Sequence, residues 1–177
     1  MIRHLLYLCI AVLAASTSVS CFARSGSTTT PASRPASGIT YGAPQQLPLV
    51  SATLAGRQIR LMIVKTEEQR AYGLMFREKL AADEGMLFCY DTPVPMTFWM
   101  KNTILPLDLV LFDENLRLNG IIRGMKPGIG VADALLPRYT AKLPAQFALE
   151  VASGTADAWG LGTGDRLEIP LPLLATD

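Results

Sequence analysis

The amino-acid sequence predicts an α+β, mainly β domain, in which about seven short strands form a small barrel-like antiparallel or mixed sheet with one main helix packed on it. Two observations predict this fold. Short apolar segments of strand length recur along the chain, and Gly, Pro, Asn and Asp residues separate them. One segment, Thr66–Gln69, carries the capping box that marks the start of a helix. A chain of 177 residues has room for one such domain and its appendages.

The first 23 residues have the pattern of a signal peptide. Arg3 and His4 give a basic start, and the apolar run that follows, from Leu5 to Ala15, is too short to span a bilayer. Small residues then lead to Ala23, after which we expect signal peptidase to cleave. The sequence therefore predicts an exported, periplasmic protein. A tail anchor or a buried helix is the alternative for the apolar run.

Cys21 offers a second route of export, as a lipid anchor. Ser20 is the small residue that a bacterial lipobox has directly before its Cys, but Ser18 stands where that pattern has Leu. We therefore expect the soluble periplasmic form rather than the anchored one. The next segment is rich in Ser, Thr, Pro, Gly and Ala, which predicts a flexible linker. The predicted boundaries are 1–23 for the signal peptide, 24–46 for the linker, 47–170 for the globular domain and 171–177 for a C-terminal tail.

The composition of the chain after Ala23 excludes several classes of function. It carries 15 basic and 15 acidic residues with no basic stripe, so we expect neither nucleic acid nor an anionic lipid surface as a partner. His4 is the only histidine, and cleavage removes it, which excludes Ser-His-Asp and Cys-His catalysis and histidine-based metal sites. Cys89 then stands alone in an apolar run, where we expect it to be buried and inert. The sequence predicts no metal site and no cofactor.

The first elements of the domain are a predicted hairpin and a predicted helix. Leu49–Leu54 and Gln58–Val64 have the pattern of strands, and Ala55–Gly56 between them is predicted to form the turn. The capping box and two acidic residues in the first turn predict a helix that begins at Glu67. We expect this helix to end or kink at Gly73, because glycine is a poor helix former.

The rest of the domain is predicted to consist of strands and loops. Residues 91–96 contain two prolines and are predicted to be a loop or a sheet edge. Residues 123–144 are rich in Gly and Pro and are predicted to be mostly loop, and a short helix is expected around Ala156–Trp159. The remaining predicted strands are Met86–Tyr90, Thr97–Lys101, Leu107–Phe112, Leu116–Ile122, Phe147–Val151 and Arg166–Ile169.

The segment 98–103 is the first candidate for a functional site, because an aromatic and apolar string there runs directly into an ammonium, an amide and a hydroxyl. Polar groups in such a run need partners or a function. Lys101 and Asn102 could bind an anionic or carbonyl group of a ligand, and Trp99 could help to form a groove for a peptide or a sugar. The alternative is structural: the amide bonds neighbouring backbone groups, and the lysine pairs with a carboxylate and closes the barrel.

Asp108 and Glu150 are the second candidates, since apolar residues flank both carboxylates and predict a semi-buried setting. With Lys101 they could carry a hydrolase or lyase reaction, one as acid and the other as base or nucleophile. The structural alternative pairs them with Lys101, Arg70 or Arg77. The two arginines are seven residues apart, so they share a face if the helix is continuous, and they could instead bind a carboxylate or phosphate of a ligand.

Taken together, these residues resemble the DUF192 (UPF0127) family, exported bacterial proteins of unknown function. The resemblance covers about residues 50 to 169 and implies a compact β-barrel-like domain with a helix, but no particular reaction. The chain departs from the family pattern in the longer stretch 123–144 and at Cys89–Tyr90. The matching residues are Arg70, Gly73–Met75, Arg77, Leu80, Gly85–Phe88, Phe98–Thr103, Pro106–Asp108, Phe112–Asp113, Leu149–Glu150, Gly154 and Gly164–Asp165.

The sequence as a whole favours an exported, tethered domain that binds a small molecule, a peptide or an envelope protein and catalyses nothing. The absence of a catalytic histidine, a cysteine pair, a metal motif or a phosphate-binding loop after Ala23 motivates this hypothesis. Two alternatives stay open. One is a hydrolase or lyase that uses Asp108 or Glu150 with Lys101, and the other is a structural or assembly domain.

Overall fold

The computed structural model describes residues 42–174. The predicted signal peptide, residues 24–41 of the predicted linker and residues 175–177 of the predicted tail lie outside the described residues. Two short 3₁₀ turns, Asp133–Leu135 and Leu171–Leu173, accompany the strands and helices. In chain order the strands and helices are β1 (Leu49–Leu54), β2 (Arg57–Val64), α1 (Glu67–Tyr72), β3 (Glu84–Val94), β4 (Thr97–Phe98), β5 (Leu107–Phe112), β6 (Leu118–Met125), β7 (Tyr139–Thr140), β8 (Ala145–Ala152), α2 (Thr155–Ala158) and β9 (Leu167–Glu168).

The strands in this part of the chain form one curled seven-stranded sheet and a separate ribbon of β4 with β7. The order in the sheet is β6-β5-β8-β3-β2-β1-β9. Adjacent strands of the sheet are antiparallel except β2 and β3. The parallel pairing of these two strands needs a crossover connection, and this connection contains α1. The chain also joins the two sheet edges at one end, where the Leu118 N–H donates to the Asp165 carbonyl at 2.7 Å. The predicted mainly β, barrel-like α+β fold is confirmed.

Apolar side chains cover both faces of the sheet, which is why all six residues of β5 are buried. Successive side chains of a strand point to opposite faces, and directly paired residues share a face. The paired residues Val110 and Leu149 lie on the face that packs against Ala156 of α2, which we call the α2 face. Met86 and Leu109 lie on the other face, which we call the methionine face, in a cluster with four other methionines, Met62, Met96, Met100 and Met125.

Helix α1 has the start and the end that the sequence predicts. Thr66 Oγ1 accepts from the Gln69 N–H at 3.1 Å, and Gln69 Oε1 accepts from the Thr66 N–H at 3.3 Å, so the capping box is complete. Gly73, at φ +50°, ends the helix after six residues. No helix in residues 42–174 is both long enough and apolar enough to span a membrane.

Residues 42–46, which the composition assigned to the linker, pack on α1 instead. The side chain of Gln45 is only 1% exposed, and its Nε2 donates to the Gly73 carbonyl at 2.7 Å and to the Gln69 carbonyl at 3.2 Å. The Gly42 N–H donates to the Tyr72 hydroxyl at 3.2 Å. The reason is that the carbonyls at the end of a helix need donors, and an amide side chain from the preceding segment supplies them.

Several predicted strand boundaries are wrong: β6, for example, begins at Leu118 rather than Leu116 and continues to Met125, into the stretch predicted to be mostly loop. The differences at β3 and β4 have separate reasons. Strand β3 continues through Pro93 to Val94. Its pairing with β8 is interrupted between Cys89 and Val94, so no backbone hydrogen bond to β8 is required of Pro93, and the proline is tolerated there. The predicted strand 97–101 ends at Phe98, because the chain turns back at Asn102, which has φ +51°. This turn positions the candidate site.

Candidate functional site

Two separate segments of the chain meet at the turn after β4. The Phe76 N–H donates to the Asn102 carbonyl at 2.9 Å, and Asn102 Nδ2 contacts Met75 Sδ at 3.8 Å. Phe76 and Asn102 both have left-handed backbone conformations, at φ +59° and +51°. Non-glycine residues with such angles cost free energy, and they cluster at sites where the surrounding structure holds them. The segment after α1 and the segment 98–103 are thus held against each other.

A cavity of about 470 Å³ opens between these two segments, and we call it the aromatic pocket. Its volume lies in the range of small-molecule sites. Three of the residues predicted as ligand contacts, Trp99, Lys101 and Asn102, line it. Sequence reasoning missed the other lining residues, which come from α1 and the segments beside it: Gly42, Glu68, Ala71, Tyr72, Met75 and Phe76.

Trp99 lies between two cations at the edge of the aromatic pocket. The guanidinium carbon of Arg138 is 4.5 Å from the centroid of its ring, and Lys101 Nζ is 5.3 Å from it. Cation–π contacts of this kind fix the orientation of an indole without burying it fully. Sequence reasoning missed Arg138, because it belongs to the stretch 123–144 that was predicted to be mostly loop.

Lys101 has a different partner from the ones expected. Its Nζ forms an ion pair with Asp133 Oδ2 at 2.6 Å, and neither Asp108 nor Glu150 contacts it. The two side chains are 33% and 53% exposed, so water screens their attraction. Lys101 therefore does not close the barrel by pairing with Asp108 or Glu150, as the structural alternative expected. It joins the aromatic pocket to the loop that carries Asp133.

The two arginines contact backbone groups and not the candidate carboxylates. Arg70 donates to the carbonyls of Lys65 and Cys89, and its guanidinium carbon lies 4.5 Å from the centroid of the Tyr90 ring. Burial raises the pKa of Tyr90, and the charge of Arg70 offsets part of that rise. Arg77 Nη2 donates to the Gln45 carbonyl at 3.1 Å.

The continuous helix that would have placed Arg70 and Arg77 on one face ends at Tyr72, so this geometric expectation is wrong. Arg70 lines a second, smaller cavity of about 350 Å³ on the other side of Ala71 and Trp99. Arg77 lines neither this cavity nor the aromatic pocket. The two guanidinium groups do not form the shared anion clamp that their spacing allowed.

Asp108 holds together the turn that leads into α2. Its side chain is 1% exposed, and Oδ2 accepts from the N–H groups of Gly154 at 2.8 Å and Ala156 at 3.2 Å. Its Oδ1 accepts from the Gly124 N–H at 2.9 Å and from the Ser153 hydroxyl at 3.4 Å. The carboxylate thus satisfies backbone donors from two loops, which is a structural role.

Glu150 has a contrasting environment. It is 4% exposed, and no hydrogen bond or ion pair reaches its carboxyl from residues 42–174. Its strand partners on the methionine face are Met86 and Leu109. Burial in this apolar setting raises the pKa of Glu150 to about 8, so the carboxyl is mainly protonated at neutral pH.

Asp108 and Glu150 point to opposite faces of the sheet. Asp108 pairs with Val151 on the α2 face, and Glu150 pairs with Leu109 on the methionine face. Two carboxyls that act on one glycosidic bond must flank it from the same cleft. The structure therefore does not bring the two together, and Lys101 lies beside neither of them.

The comparisons with known proteins agree with this architecture. The family model DUF192, described as an uncharacterized group, matches residues 50–169. The chain belongs to the DUF192 family. A comparison with curated proteins found no significant match.

Two solved structures are similar to this DUF192 chain. A protein of unknown function from Novosphingobium aromaticivorans is 31% identical, with a TM-score of 0.63 over 80% of this chain and 94% of that one. A protein from Sinorhizobium meliloti, described as a putative transcription regulator, is 30% identical, with a TM-score of 0.62 over 70% of this chain and 95% of that one. Neither description supplies a reaction for the DUF192 domain.

The remaining reactive groups of the DUF192 domain offer little chemistry. Cys89 is buried as predicted, and burial raises its pKa to about 12, so the thiol stays protonated. Among residues 42–174 no three His, Cys, Asp or Glu side chains are grouped to hold a metal ion. A larger cavity of about 630 Å³ lies between residues 78–81 and 152–153, but none of the predicted site residues lines it. The aromatic pocket is thus lined by three of the predicted residues, Trp99, Lys101 and Asn102, and the smaller cavity of about 350 Å³ by two, Arg70 and Trp99.

Proposed function

We propose that this DUF192 protein is a non-catalytic binding module whose ligand occupies the aromatic pocket. One observation carries the proposal: Trp99, Lys101 and Asn102, the indole, ammonium and amide of the segment 98–103, line one cavity of ligand size. Each of them is partly exposed. The pocket has no pair of acid and base groups in contact, so it offers recognition and not proton transfer.

The lining of the aromatic pocket supports a ligand with an apolar face and a few hydrogen-bonding groups. Tyr72, Phe76 and Trp99 supply aromatic surface, and the amide of Asn102 can both donate and accept. Glu68 and Lys101 bring one charge of each sign, so the pocket favours neither a strong anion nor a strong cation. A short peptide or a neutral sugar meets these requirements.

A titration followed by tryptophan emission tests this proposal. The full chain with Trp159→Phe, which leaves Trp99 as its single indole, is titrated with short acetylated peptides and with neutral oligosaccharides. We expect a saturable change in emission with a member of one set. Asn102→Gly removes the amide while keeping a residue that tolerates the φ of +51°, and we expect it to weaken binding about tenfold.

The matched control is Lys142→Ala, an exposed cation that does not line the aromatic pocket. Binding should be unchanged in this variant. A saturable ligand whose affinity is the same in Asn102→Gly and in the control binds elsewhere, and that result would overturn the proposal.

We further propose that the protein is exported to the periplasm, on the basis of the signal-peptide pattern of residues 1–23. The intact mass of the product from an expressing bacterium tests this. A mass that corresponds to a chain beginning at Arg24 supports export with cleavage after Ala23. A lipid-modified chain beginning at Cys21 indicates the anchored form, and the uncleaved mass contradicts both.

A further inference from the structure

The loop of residues 126–138, which we call the apolar loop, exposes side chains that soluble domains usually bury. All residues from 129 to 135 are exposed. Three of them are large aliphatic residues, with Ile129 at 48%, Val131 at 38% and Leu135 at 76% exposure. Single exposed aliphatic residues are ordinary, but three in one seven-residue segment form a patch that calls for a partner.

The apolar loop is ordered by specific contacts, so its exposed side chains do not result from a lack of structure. The Gly128 N–H donates to the Thr103 carbonyl at 3.0 Å. A Cβ at Gly128 would lie 2.2 Å from the Met100 carbonyl oxygen, so only a glycine fits where the loop packs against the segment 98–103. Leu136, at 5% exposure, anchors the other end. The aliphatic side chains between these two anchors project outward.

Cations stand at the base of the apolar loop. The Lys126 N–H donates to the Tyr139 hydroxyl oxygen at 2.9 Å, so the backbone at Lys126 is bonded to the residue that follows Arg138. Both cations are exposed, as is Lys142 further along the same stem. The one acidic residue between positions 123 and 142 is Asp133, which forms an ion pair with Lys101. The tip of the loop therefore exposes three aliphatic side chains beside the paired Asp133, and its two ends carry cations.

We propose that the apolar loop docks on an anionic lipid surface, with Ile129, Val131 and Leu135 inserted among the acyl chains and the cations at the level of the headgroups. Charge complementarity selects this partner, because exposed aliphatic side chains in a loop whose two ends carry the exposed cations Lys126 and Arg138 match the two layers of an anionic membrane leaflet. The linear sequence does not show this surface, because its few cations form no stripe. The bond between the Lys126 N–H and the Tyr139 hydroxyl joins the two ends of the loop, at which Lys126 and Arg138 stand.

Local fluorescence quenching tests the proposal in the full chain. Leu135→Trp places an indole at the tip, and Leu171→Trp places one at an aliphatic residue of similar exposure, 69%, outside the loop. Vesicles of brominated phosphatidylglycerol and phosphatidylcholine quench only indoles that reach the acyl region. Binding of the N-terminal segment to the vesicle does not by itself quench an indole in the loop. The emission of the unsubstituted protein, which contains Trp99 and Trp159, is subtracted from each.

We expect the indole of Leu135→Trp to be quenched and shifted to the blue by the anionic vesicles, and that of Leu171→Trp to be unaffected. Adding Lys126→Gln should weaken the vesicle affinity about fivefold, while adding the exposed Arg57→Gln should not. Equal quenching of both indoles, or quenching of neither, overturns the proposal, and the second result points to a protein partner for the loop. Equal quenching by brominated phosphatidylcholine alone overturns the anionic partner.

Discussion

The two buried carboxyls of the domain show how differently one functional group behaves on the two faces of a sheet. Asp108 and Glu150 lie on neighbouring strands, β5 and β8, and are 1% and 4% exposed. The Asp108 carboxylate accepts from three backbone N–H groups and a hydroxyl, at 2.8 to 3.4 Å. Glu150 receives no hydrogen bond from the described residues. Equal burial therefore does not mean an equal role.

The difference follows from what each face packs against. The α2 face at Asp108 meets loop backbone with free N–H groups, and a carboxylate is the acceptor that satisfies them best. The methionine face at Glu150 meets thioether and aliphatic side chains, which solvate a neutral acid far better than an anion. The Asp108 carboxyl on the α2 face is thus a structural clamp that holds backbone N–H groups. The Glu150 carboxyl on the methionine face instead makes the stability of the fold depend on pH.

The largest effect should come from removing the clamp. Asp108→Asn keeps the shape of the side chain but turns an NH₂ group toward backbone donors, so at least one buried N–H loses its acceptor. We expect the free energy of unfolding to fall by about 4 kcal/mol, as measured by urea denaturation. Asp113→Asn is the control, because Asp113 also accepts two backbone N–H groups, at 2.8 and 2.9 Å, but in a more exposed turn.

The control should lose about 1 kcal/mol. Asp108→Asn could instead lower the free energy of unfolding by no more than Asp113→Asn does. The hydrogen bonds to the α2 turn would then contribute little to stability, and backbone N–H donors would not explain the contrast between the two faces.

The second effect concerns Glu150 and depends on pH. Its pKa is about 8 in the folded protein and 4.5 in a model compound, so the folded state binds more protons than the unfolded state between these values. The stability that this group contributes should therefore be complete below pH 4.5 and should fall as the pH rises from 5 to 8, by about 3 kcal/mol. Urea denaturation at a series of pH values measures this slope.

Glu150→Gln should abolish most of the slope, because an amide has no proton to lose. The variant should be about as stable as the parent at pH 5 and more stable at pH 8. Glu68→Gln, at an exposed position of α1, should leave the slope as it is. A slope that persists in Glu150→Gln would mean that another group titrates on folding.

The local features of the fold were predictable from the sequence, because they depend on neighbouring residues. The capping box at Thr66 and the end of the helix at Gly73 are formed by side chains within a few positions. Strand β5 was predicted with its observed bounds, since its apolar run has a turn on either side. The extension of β3 to Val94 was not predictable, because it depends on the interruption of its pairing with β8.

The candidate site was only half predictable, for a related reason. The string 98–103 is visible in the sequence, and three of its residues line the aromatic pocket. The partner of Lys101 is not visible, because Asp133 comes from a loop that no periodic pattern places. The opposite faces of Asp108 and Glu150 follow from the register of β5 against β8, which a single sequence does not specify.

The smallest effect should come from the exposed ion pair, and it gives the scale for the two buried carboxyls. Lys101→Met removes the charge but keeps an unbranched apolar stem, and the partner Asp133 is 53% exposed and can be hydrated by water. We expect the free energy of unfolding to change by less than about 1 kcal/mol. A double-mutant cycle with Asp133→Asn isolates the pair, and the matched cycle of Arg123→Met with Asp157→Asn does the same for another exposed pair.

Both coupling energies should be small and should shrink further in high salt, since water and ions screen exposed charges. A coupling of several kcal/mol at Lys101 would show that the pair is desolvated as strongly as Asp108. The segment 98–103 would then be a structural clamp like the turn at α2, and the aromatic pocket beside it would be a consequence of packing. A small coupling instead leaves Lys101 available to a ligand at little cost to the fold.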